Sequence, residues 1–475
     1  MPFRPVLLWT DDLLFLLIGA AIALWFHMRS RPHLLQPWRN LVRSKQAMMA
    51  SVFLGFFLVV GVLDSMHFRP RLAQPDAAEQ SRYAAQTLSV LDVILGPLRT
   101  QTEKTYSAPL ATHLFAKETV ESSAGAGVRV YPRLVYGGAH LRDTKSDWLP
   151  DVLRKTVAGL GVAAIIWNLL AVALVAALAR RTRRGAGEVW RSIWGEREPV
   201  PWRTILISAG VLILVLSPML VLSGSYHVLG TDKVGQDVFY LTLKSIRTGL
   251  LIATLATLVM LPLATALGIM AGYFGGWIDD VIQYIYTTLN SIPAVLLIAA
   301  SVLMIQVYMG THPELFDTIE QRQDLRLLFL CLILGVTSWT GLCRLLRGEA
   351  LKLREQDYVQ AAHAFGVSHA RVITRHILPN VMHIVVIAVV MDFSVLVLAE
   401  AVLSYVGVGV DPTMNSFGNM INAARLEMAR EPMVWWSLAS AFAFMLVMVL
   451  SANLFADALR DAFDPRISAA SRQKT

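Results

Sequence analysis

The sequence predicts an all-α polytopic membrane protein. Of its 475 residues, 55% are hydrophobic, only 16% are charged, and the mean hydropathy is +0.53. A soluble chain of this length would carry charge on about a quarter of its residues. Long uncharged apolar runs recur, and about 20 helical residues cross a bilayer core. Because a backbone in lipid must satisfy its own hydrogen bonds, these runs are expected to be helices.

Nine membrane spans follow from the apolar runs. They are placed near 12–27, 46–63, 156–179, 204–223, 248–272, 289–309, 327–343, 381–403 and 433–456. The first run begins beside Asp11 and Asp12 and has two interpretations, a retained span or a cleaved signal peptide. It lacks a basic lead, which favours the retained span. An odd number of spans puts the two termini on opposite sides of the membrane.

The distribution of Lys and Arg predicts which side is which. One set of connections, together with the C-terminal tail, holds 22 of these residues; the opposite short connections and the N-terminus hold eight. The remaining 12 lie in the long segment 64–155, which the positive-inside rule does not count. We therefore expect a cytoplasmic C-terminus and a periplasmic N-terminus. The net charge of +8 is a topology signal and does not indicate nucleic-acid binding, because the basic residues lie beside spans.

A polar stretch, 355–379, interrupts the apolar C-terminal half. Its apolar residues have helical spacing, i, i+3, i+4 and i+7. They are Tyr358, Ala361, Ala362 and Phe365. Gly366 is expected to end this short helix in a left-handed conformation. Ala370, Ile373 and Ile377 predict the face of a second short helix that Pro379 closes. Two short amphipathic helices between spans form a knob in water that is suited to contact a partner.

The sequence shows no catalytic or nucleotide-binding motif. A phosphate-binding Gly-x-x-x-x-Gly-Lys-Ser/Thr loop, a His-Glu-x-x-His zinc pair and a Gly-x-Ser-x-Gly elbow are all absent. Cys331 and Cys343 lie twelve positions apart in one span and point about 120° apart, so they cannot pair on that helix. We therefore predict a chain that is not an enzyme and that binds no cofactor or metal itself.

Five motifs in order resemble a permease subunit of the dipeptide/oligopeptide/nickel class of ABC importers, and in particular the second permease of such systems. In chain order they are Leu229–Val238, Ser291–Pro293, Gln360-Ala361-Ala362 with Gly366 and Leu378-Pro379, Glu400–Gly409 and Asn453–Pro465. Gln360 replaces the acid of the family's coupling motif, and Gln236 replaces a usual arginine. The family normally has six spans. The resemblance therefore implies a type I ABC importer permease core with extra N-terminal spans and an extracytoplasmic insertion.

Five segments are predicted along the chain. They are two N-terminal spans at 1–63, an extracytoplasmic domain at 64–155, a span pair with a basic cytoplasmic loop at 156–223, the permease core at 224–466 and a cytoplasmic tail at 467–475. Within the insertion, Val128–Tyr136 has strand-like composition that Pro132 interrupts. The insertion has two interpretations, a docking surface for a binding protein or a spacer.

The resemblance also implies the partners and the mechanism. A second permease subunit, two ATPase subunits that bind ATP and Mg, and an extracytoplasmic solute-binding protein would complete a transporter in the bacterial inner membrane. Residues of 355–379 would couple to the ATPases; they are Tyr358, Gln360, Ala361, Ala362, Phe365, Gly366, Leu378 and Pro379. The substrate stays open among dipeptides, oligopeptides, nickel chelates and peptide antibiotics. The alternatives are an ion-gradient-driven secondary transporter and a membrane enzyme or sensor using residues 64–155.

Two further groups are candidate functional residues. Gly268, Gly272 and Gly276 form overlapping Gly-x-x-x-Gly steps, which let helices approach closely, either within this chain or against the second permease. Asp392 and Glu400 are acids in the span 381–403, where a charge usually faces a cavity or a partner. Asp392 is a candidate for the translocation path. Glu400 is a second candidate for the path, but a structural role near the outer surface suits it better.

Overall fold

The computed structural model describes residues 3–29, 32–71, 83–84, 86–121, 127–312 and 318–463. The predicted tail, 467–475, lies outside the described residues. The helices of the described residues, in chain order, are α1 (Trp9–Arg29), α2 (Pro32–Arg43), α3 (Lys45–Ser65), α4 (Val90–Ile94), α5 (Gly96–Thr100), α6 (Trp148–Thr182), α7 (Ala186–Trp194), α8 (Trp202–Ser223), α9 (Val238–Phe274), α10 (Gly276–Ser291), α11 (Ala294–Thr311), α12 (Ile319–Arg354), α13 (Asp357–Ala364), α14 (His369–Val372), α15 (Leu378–Tyr405), α16 (Phe417–Glu427) and α17 (Trp436–Phe463). A π-turn, Ile373–Ile377, joins α14 to α15.

Nine helical stretches among the described residues are long and apolar enough to cross a membrane. They are α1, α3, α6, α8, α9, α11, α12, the continuous stretch His369–Tyr405 and α17. Each contains or overlaps one predicted span, so the predicted all-α polytopic fold is confirmed. Several exceed the predicted lengths. The 37 residues of α9 extend about 55 Å, well beyond a bilayer core of ~30 Å, so this helix continues outside the apolar region.

Short strands accompany the helices in the insertion, and one N-terminal strand pairs with them. β1 (Phe3–Pro5), β2 (His67–Pro70) and β3 (Leu88–Ser89) form one antiparallel sheet, and β4 (Glu118–Glu121) pairs with β5 (Gly127–Val130). The strand-like composition at 128–136 is thus realised only up to Val130. Pro132 follows two residues later, and proline cannot donate a ladder hydrogen bond.

The chain forms two compact units. The first contains Met1–Val6, Pro32–Thr248 and Asn415–Ala458, and the second contains Leu7–Arg31, Gly249–Met414 and Leu459–Thr475. These units differ from the predicted segments, because residues distant in sequence pack together within each unit. In the first unit α6 packs along α8, where a Cβ on Gly159 would lie 2.5 Å from Cα of Pro218. In the second unit the core joins side chains of α9, α10, α12, α13 and α15.

Candidate functional site

The polar stretch 355–379 forms an elbow between α12 and α15. Its first arm, α13, ends in a Schellman arrangement at Gly366, whose φ is +71° as the sequence predicted. The Gly366 N–H donates to the carbonyl of His363 (2.9 Å), and the Val367 N–H donates to the carbonyl of Ala362 (3.1 Å). These two bonds satisfy carbonyls that the helix end would otherwise leave without partners. The bend is therefore set by the backbone itself.

One face of α13 is anchored in the second unit, and the other is open. Val359 is fully buried and belongs to the same core cluster as Leu346 and Val381. On the open side Phe365 is 86% exposed and Tyr358 is 44% exposed. Sequence periodicity indicated the open stripe but did not indicate Val359. A periodic pattern shows which apolar residues share a helix face, but it does not show whether that face meets a partner or the chain's own core. The elbow thus presents a large apolar side chain on a fixed base.

Tyr273, at the end of α9, holds both arms of the elbow. Its hydroxyl lies 2.8 Å from Nε2 of His363 on α13 and 2.8 Å from Nδ1 of His369 on α14. The rings of Tyr273 and His363 stack with centroids 5.6 Å apart. A hydroxyl donates only one hydrogen bond, so at least one of the two histidines must donate to it. No sequence pattern indicates this bridge, since it joins residues far apart in the chain.

The second arm corrects the predicted short helix. Pro379 was expected to close it, but the arm passes through the π-turn into α15, and Pro379 lies in the first turn of that helix. The Leu378 N–H still donates to the carbonyl of Ile373, so the helix is continuous here, and Pro379, which has no N–H to donate, follows directly where the hydrogen-bond pattern changes. The π-turn also changes the buried face. Val372 and Ile377, five positions apart, are fully buried, whereas Ala370 is exposed.

The polar members of the coupling motif are exposed. The Gln360 amide donates long hydrogen bonds of 3.4 Å to the backbone and side chain of Glu355. The Tyr358 hydroxyl accepts a bond from Nδ2 of Asn380, at 3.2 Å. Ala361 is exposed and Ala362 is half-buried. Leu378 is half-buried and Pro379 is exposed. The structure therefore brings together around one bend the residues to which the resemblance assigns coupling.

Close helix packing and an ion pair support the elbow from the span side. A Cβ on Gly268 would lie 2.8 Å from the carbonyl oxygen of Cys343, and one on Gly272 would lie 2.4 Å from the carbonyl oxygen of Arg347. α9 and α12 therefore approach closely within this chain. Arg347 also donates two hydrogen bonds, of 2.6 and 2.7 Å, to Asp279 of α10. The hydrogen bonds from Arg347 lower the pKa of Asp279.

Gly276 does not join this packing. A Cβ placed there would meet no atom of the described residues within 4 Å, and α9 already ends at Phe274. Gly275 and Gly276 have φ of +66° and +54° and turn the chain into α10. The predicted third packing position is therefore wrong, because the helical spacing stops before it.

A cavity of about 740 Å³ in the second unit is lined by Asp392. Helices α12, α15 and α17 form it, and it carries charges of both signs; the other charged residues are Arg344, Glu349, Lys352 and Arg460. Asp392 also lines a neighbouring, more apolar cavity of about 570 Å³. A pocket of this kind can orient a ligand that has a separate ammonium and carboxylate.

Glu400 does not line either cavity. Its side chain is 1% exposed, and its Oε1 accepts a 2.8 Å hydrogen bond from the Ser404 hydroxyl one turn later. This burial and this hydrogen bond suit the structural role that the sequence favoured for Glu400 and do not suit a place on the path. Eight positions separate the two acids, so at 100° per residue they point about 80° apart on the helix.

The insertion docks through buried charges in the first unit. His227 Nδ1 lies 2.8 Å from Asp237 Oδ2, and its Nε2 lies 3.5 Å from Glu103 Oε1. Glu103 also accepts backbone N–H bonds from Val135, Tyr136 and Gly137, at 2.7–3.1 Å. Asp237 belongs to the family-like motif, whereas Glu103 and His227 gave no sequence signal.

The titration of this cluster follows from its pairing. Burial alone would lower the pKa of His227, but the hydrogen bond to Asp237 and the charge of Glu103 outweigh burial and raise it to about 9. Burial alone would raise the pKa of Glu103, but His227 and the three backbone N–H groups lower it to about 2. The imidazolium and the carboxylate are thus both charged across the physiological range.

Backbone pairing reinforces the docking. The Glu103 N–H donates to the carbonyl of Gly235 at 2.9 Å, and the Leu110 N–H donates to the carbonyl of His227 at 2.9 Å. Gly235 has φ of +77°, and a Cβ there would lie 1.8 Å from the carbonyl oxygen of Glu103. Only glycine fits that position.

The elbow lies in the part of the chain that matches a known protein family. Residues 264–469, which contain the whole elbow, match the family described as "Binding-protein-dependent transport system inner membrane component". The oligopeptide transport system permease protein OppC of Mycobacterium tuberculosis (strain H37Rv) is 32% identical over 242 residues, covering 51% of this chain and 77% of that protein. The chain belongs to this family of inner-membrane permeases.

Other relatives and one solved structure are similar to this permease. The dipeptide permease DppC of Alkalihalophilus pseudofirmus is 30% identical over 55% of this chain and 84% of its own, and the glutathione permease GsiD of Pectobacterium atrosepticum is 31% identical over 51% and 74%. An inward-facing MetNI methionine ABC transporter covers 48% of this chain and 97% of its own at 14% identity, with a TM-score of 0.37, too distant to bear on the fold. The resemblance predicted from the sequence is confirmed.

Proposed function

We propose that this permease forms half of the translocation path of an ATP-driven importer of peptides or peptide-like solutes. A second permease subunit would complete the path, two ATPase subunits would bind ATP and Mg, and a solute-binding protein would deliver the substrate. In this proposal the chain itself hydrolyses nothing. The relatives' names as oligopeptide, dipeptide and glutathione permeases support the substrate class.

The elbow is the observation that carries the proposal. Phe365 is 86% exposed on a bend that Gly366 sets and Val359 anchors. An exposed aromatic on a rigid base suits a partner pocket, because such side chains dominate interface energies. The bend is continuous with α15 through the π-turn and is bridged to α9 by Tyr273. A push on the elbow would therefore move spans as rigid bodies, as in hinge or rocking transitions.

The orientation follows from the charge distribution. The elbow and the C-terminus would be cytoplasmic, where ATPase subunits bind, and the insertion and the N-terminus would be periplasmic. In that arrangement the docked insertion would lie on the side from which a solute-binding protein approaches.

Purification of the assembled complex tests the proposal. Mild extraction from native membranes is expected to recover this chain with ATPase subunits, and a peptide panel is expected to stimulate ATP hydrolysis in vesicles that also contain the binding protein. A non-hydrolysable ATP analogue should abolish uptake, while a protonophore should not. Solute accumulation by the purified chain alone, driven by an ion gradient, would instead establish a secondary transporter.

Asp392 is proposed to bind the amino terminus of the passing peptide. It lies near the middle of a span and faces two adjoining cavities, where an ammonium group would neutralise its charge. We expect Asp392→Asn to slow uptake of a free peptide by about tenfold, which is the loss of one charge-assisted hydrogen bond. Uptake of the same peptide with an acetylated amino terminus should not change. If Asp392→Asn took up both the free and the acetylated peptide at the wild-type rate, Asp392 would not belong to the path.

A further inference from the structure

An open groove of about 430 Å³ lies beside α2 in the first unit. Leu35, Trp38 and Val42 of α2 give it an apolar wall, and the chain before α8 closes it. Three arginines also line it; they are Arg39, Arg43 and Arg181. We refer to it below as the arginine groove. Among the described residues no carboxylate hydrogen-bonds or pairs with these three guanidinium groups, although Lys45 and Arg203 nearby both pair with Glu196.

The arginine groove lies at the level where three spans begin or end. α2 leads directly into α3, Arg181 belongs to the last turn of α6, and the closing segment leads into α8. Trp190 and Trp194 of the neighbouring α7 pack edge to face, 5.7 Å apart, and Arg203 lies 5.6 Å from the Trp194 ring. Tryptophan and arginine together are typical of a membrane–water interface.

We propose that the arginine groove binds an anionic glycerophospholipid such as phosphatidylglycerol. The side chains of Arg39, Arg43 and Arg181 bring positive charge to the edge of an apolar groove, which complements the negative charge of a phosphate, while the apolar lining fits the start of an acyl chain. α3 and α6 leave apolar side chains such as Val59 and Leu169 exposed, as expected for helices that face lipid. An acidic protein segment would match the charge, but it would not need an apolar wall at the level of the span ends.

Native mass spectrometry of the full chain tests the proposal. The protein is purified in mixed micelles with equal amounts of phosphatidylglycerol and phosphatidylcholine, and the retained lipids are counted. Each interfacial arginine contributes about fivefold to the binding of an anionic lipid, so Arg39→Gln, Arg43→Gln and Arg181→Gln together should weaken phosphatidylglycerol binding by about 100-fold. Phosphatidylcholine retention should stay the same, which also reports that the variant is folded.

A matched variant separates the groove from net charge. Arg180→Gln, Arg191→Gln and Arg197→Gln remove the same charge from exposed positions that do not line the groove. This control should keep its preference for phosphatidylglycerol. Equal losses in both variants would mean diffuse attraction and would overturn the assignment, as would no loss in either.

Two further outcomes would also contradict the assignment to a lipid. Glycerol 3-phosphate lacks acyl chains and should not compete at the concentration of the lipid; full competition would show that the groove recognises a phosphate alone. A groove variant that retains phosphatidylglycerol but loses its ATPase subunits during purification would assign the groove to a protein partner.

Discussion

Replacing Phe365 with alanine is expected to uncouple ATP hydrolysis from transport in the assembled complex. The side chain is 86% exposed in the isolated chain, so its removal should change the chain's own stability by less than about 0.5 kcal/mol. In a complex, loss of a central aromatic anchor costs roughly 2–4 kcal/mol, which corresponds to about 30- to 1000-fold in binding. Uptake in vesicles should fall by that order, and the ATPase subunits should dissociate at lower dilution.

The control for this prediction is the same substitution in a span, where no contact with the ATPase subunits is expected. Phe442 of α17 is 56% exposed, and Phe442→Ala should leave ATPase retention unchanged. Phe365→Leu should keep part of the coupling, because it preserves an apolar side chain of similar reach. If Phe365→Ala and Phe442→Ala retained ATPase subunits equally well, the elbow would not be the coupling contact.

The bend at Gly366 could be predicted from the sequence because its cause is local. A short amphipathic pattern followed by glycine needs only neighbouring residues to specify a left-handed helix end, and the observed φ of +71° agrees. The π-turn after it could not be predicted. A π-turn has no characteristic amino-acid composition that distinguishes it from an α-helix. Whether Ala370 or Val372 is buried depends on the core against which this segment packs.

The two acids of α15 show where composition stops being informative. Asp392 and Glu400 both lie in an apolar span, and the sequence makes both candidates for the path, although a structural role suits Glu400 better. Their roles separate only when the helix is placed against its neighbours: one faces a cavity, and the other is buried with Ser404. Burial on one side of a helix depends on tertiary packing, which a single sequence does not specify.

The insertion shows a similar limit. The sequence predicts it as a long polar segment between two spans, and in the structure α3 ends at Ser65 and α6 begins at Trp148. How it attaches could not be predicted, because Glu103 and His227 are far apart in sequence and each is a single polar residue without a recurring pattern. The family-like motif supplied one partner, Asp237, but nothing in it indicated that an inserted segment would add the second.

Replacing Glu103 with alanine is expected to detach this part of the insertion. The change leaves three backbone N–H groups without their acceptor and removes one of the two carboxylates that face a buried imidazolium. Breaking a buried pair costs about 3–5 kcal/mol. Amide hydrogen exchange at 134–141 and 225–237 should therefore accelerate by roughly 150- to 5000-fold. Glu118→Ala removes an exposed pair with Lys104 and should cost no more than about 1 kcal/mol.

The same cluster predicts how docking depends on pH. His227 has its pKa raised from 6.5 to about 9, so its contribution is complete below pH 6.5 and is lost as the pH rises through 9. Glu103 has its pKa lowered from 4.5 to about 2, so its contribution is complete above pH 4.5 and is lost as the pH falls through 2. Docking should be most stable between about pH 4.5 and 6.5. In limited proteolysis, wild type should become sensitive above pH 9, and Glu103→Ala should already be sensitive at pH 6. A wild-type profile that stays flat from pH 6 to 10 would show that His227 is not held as an imidazolium.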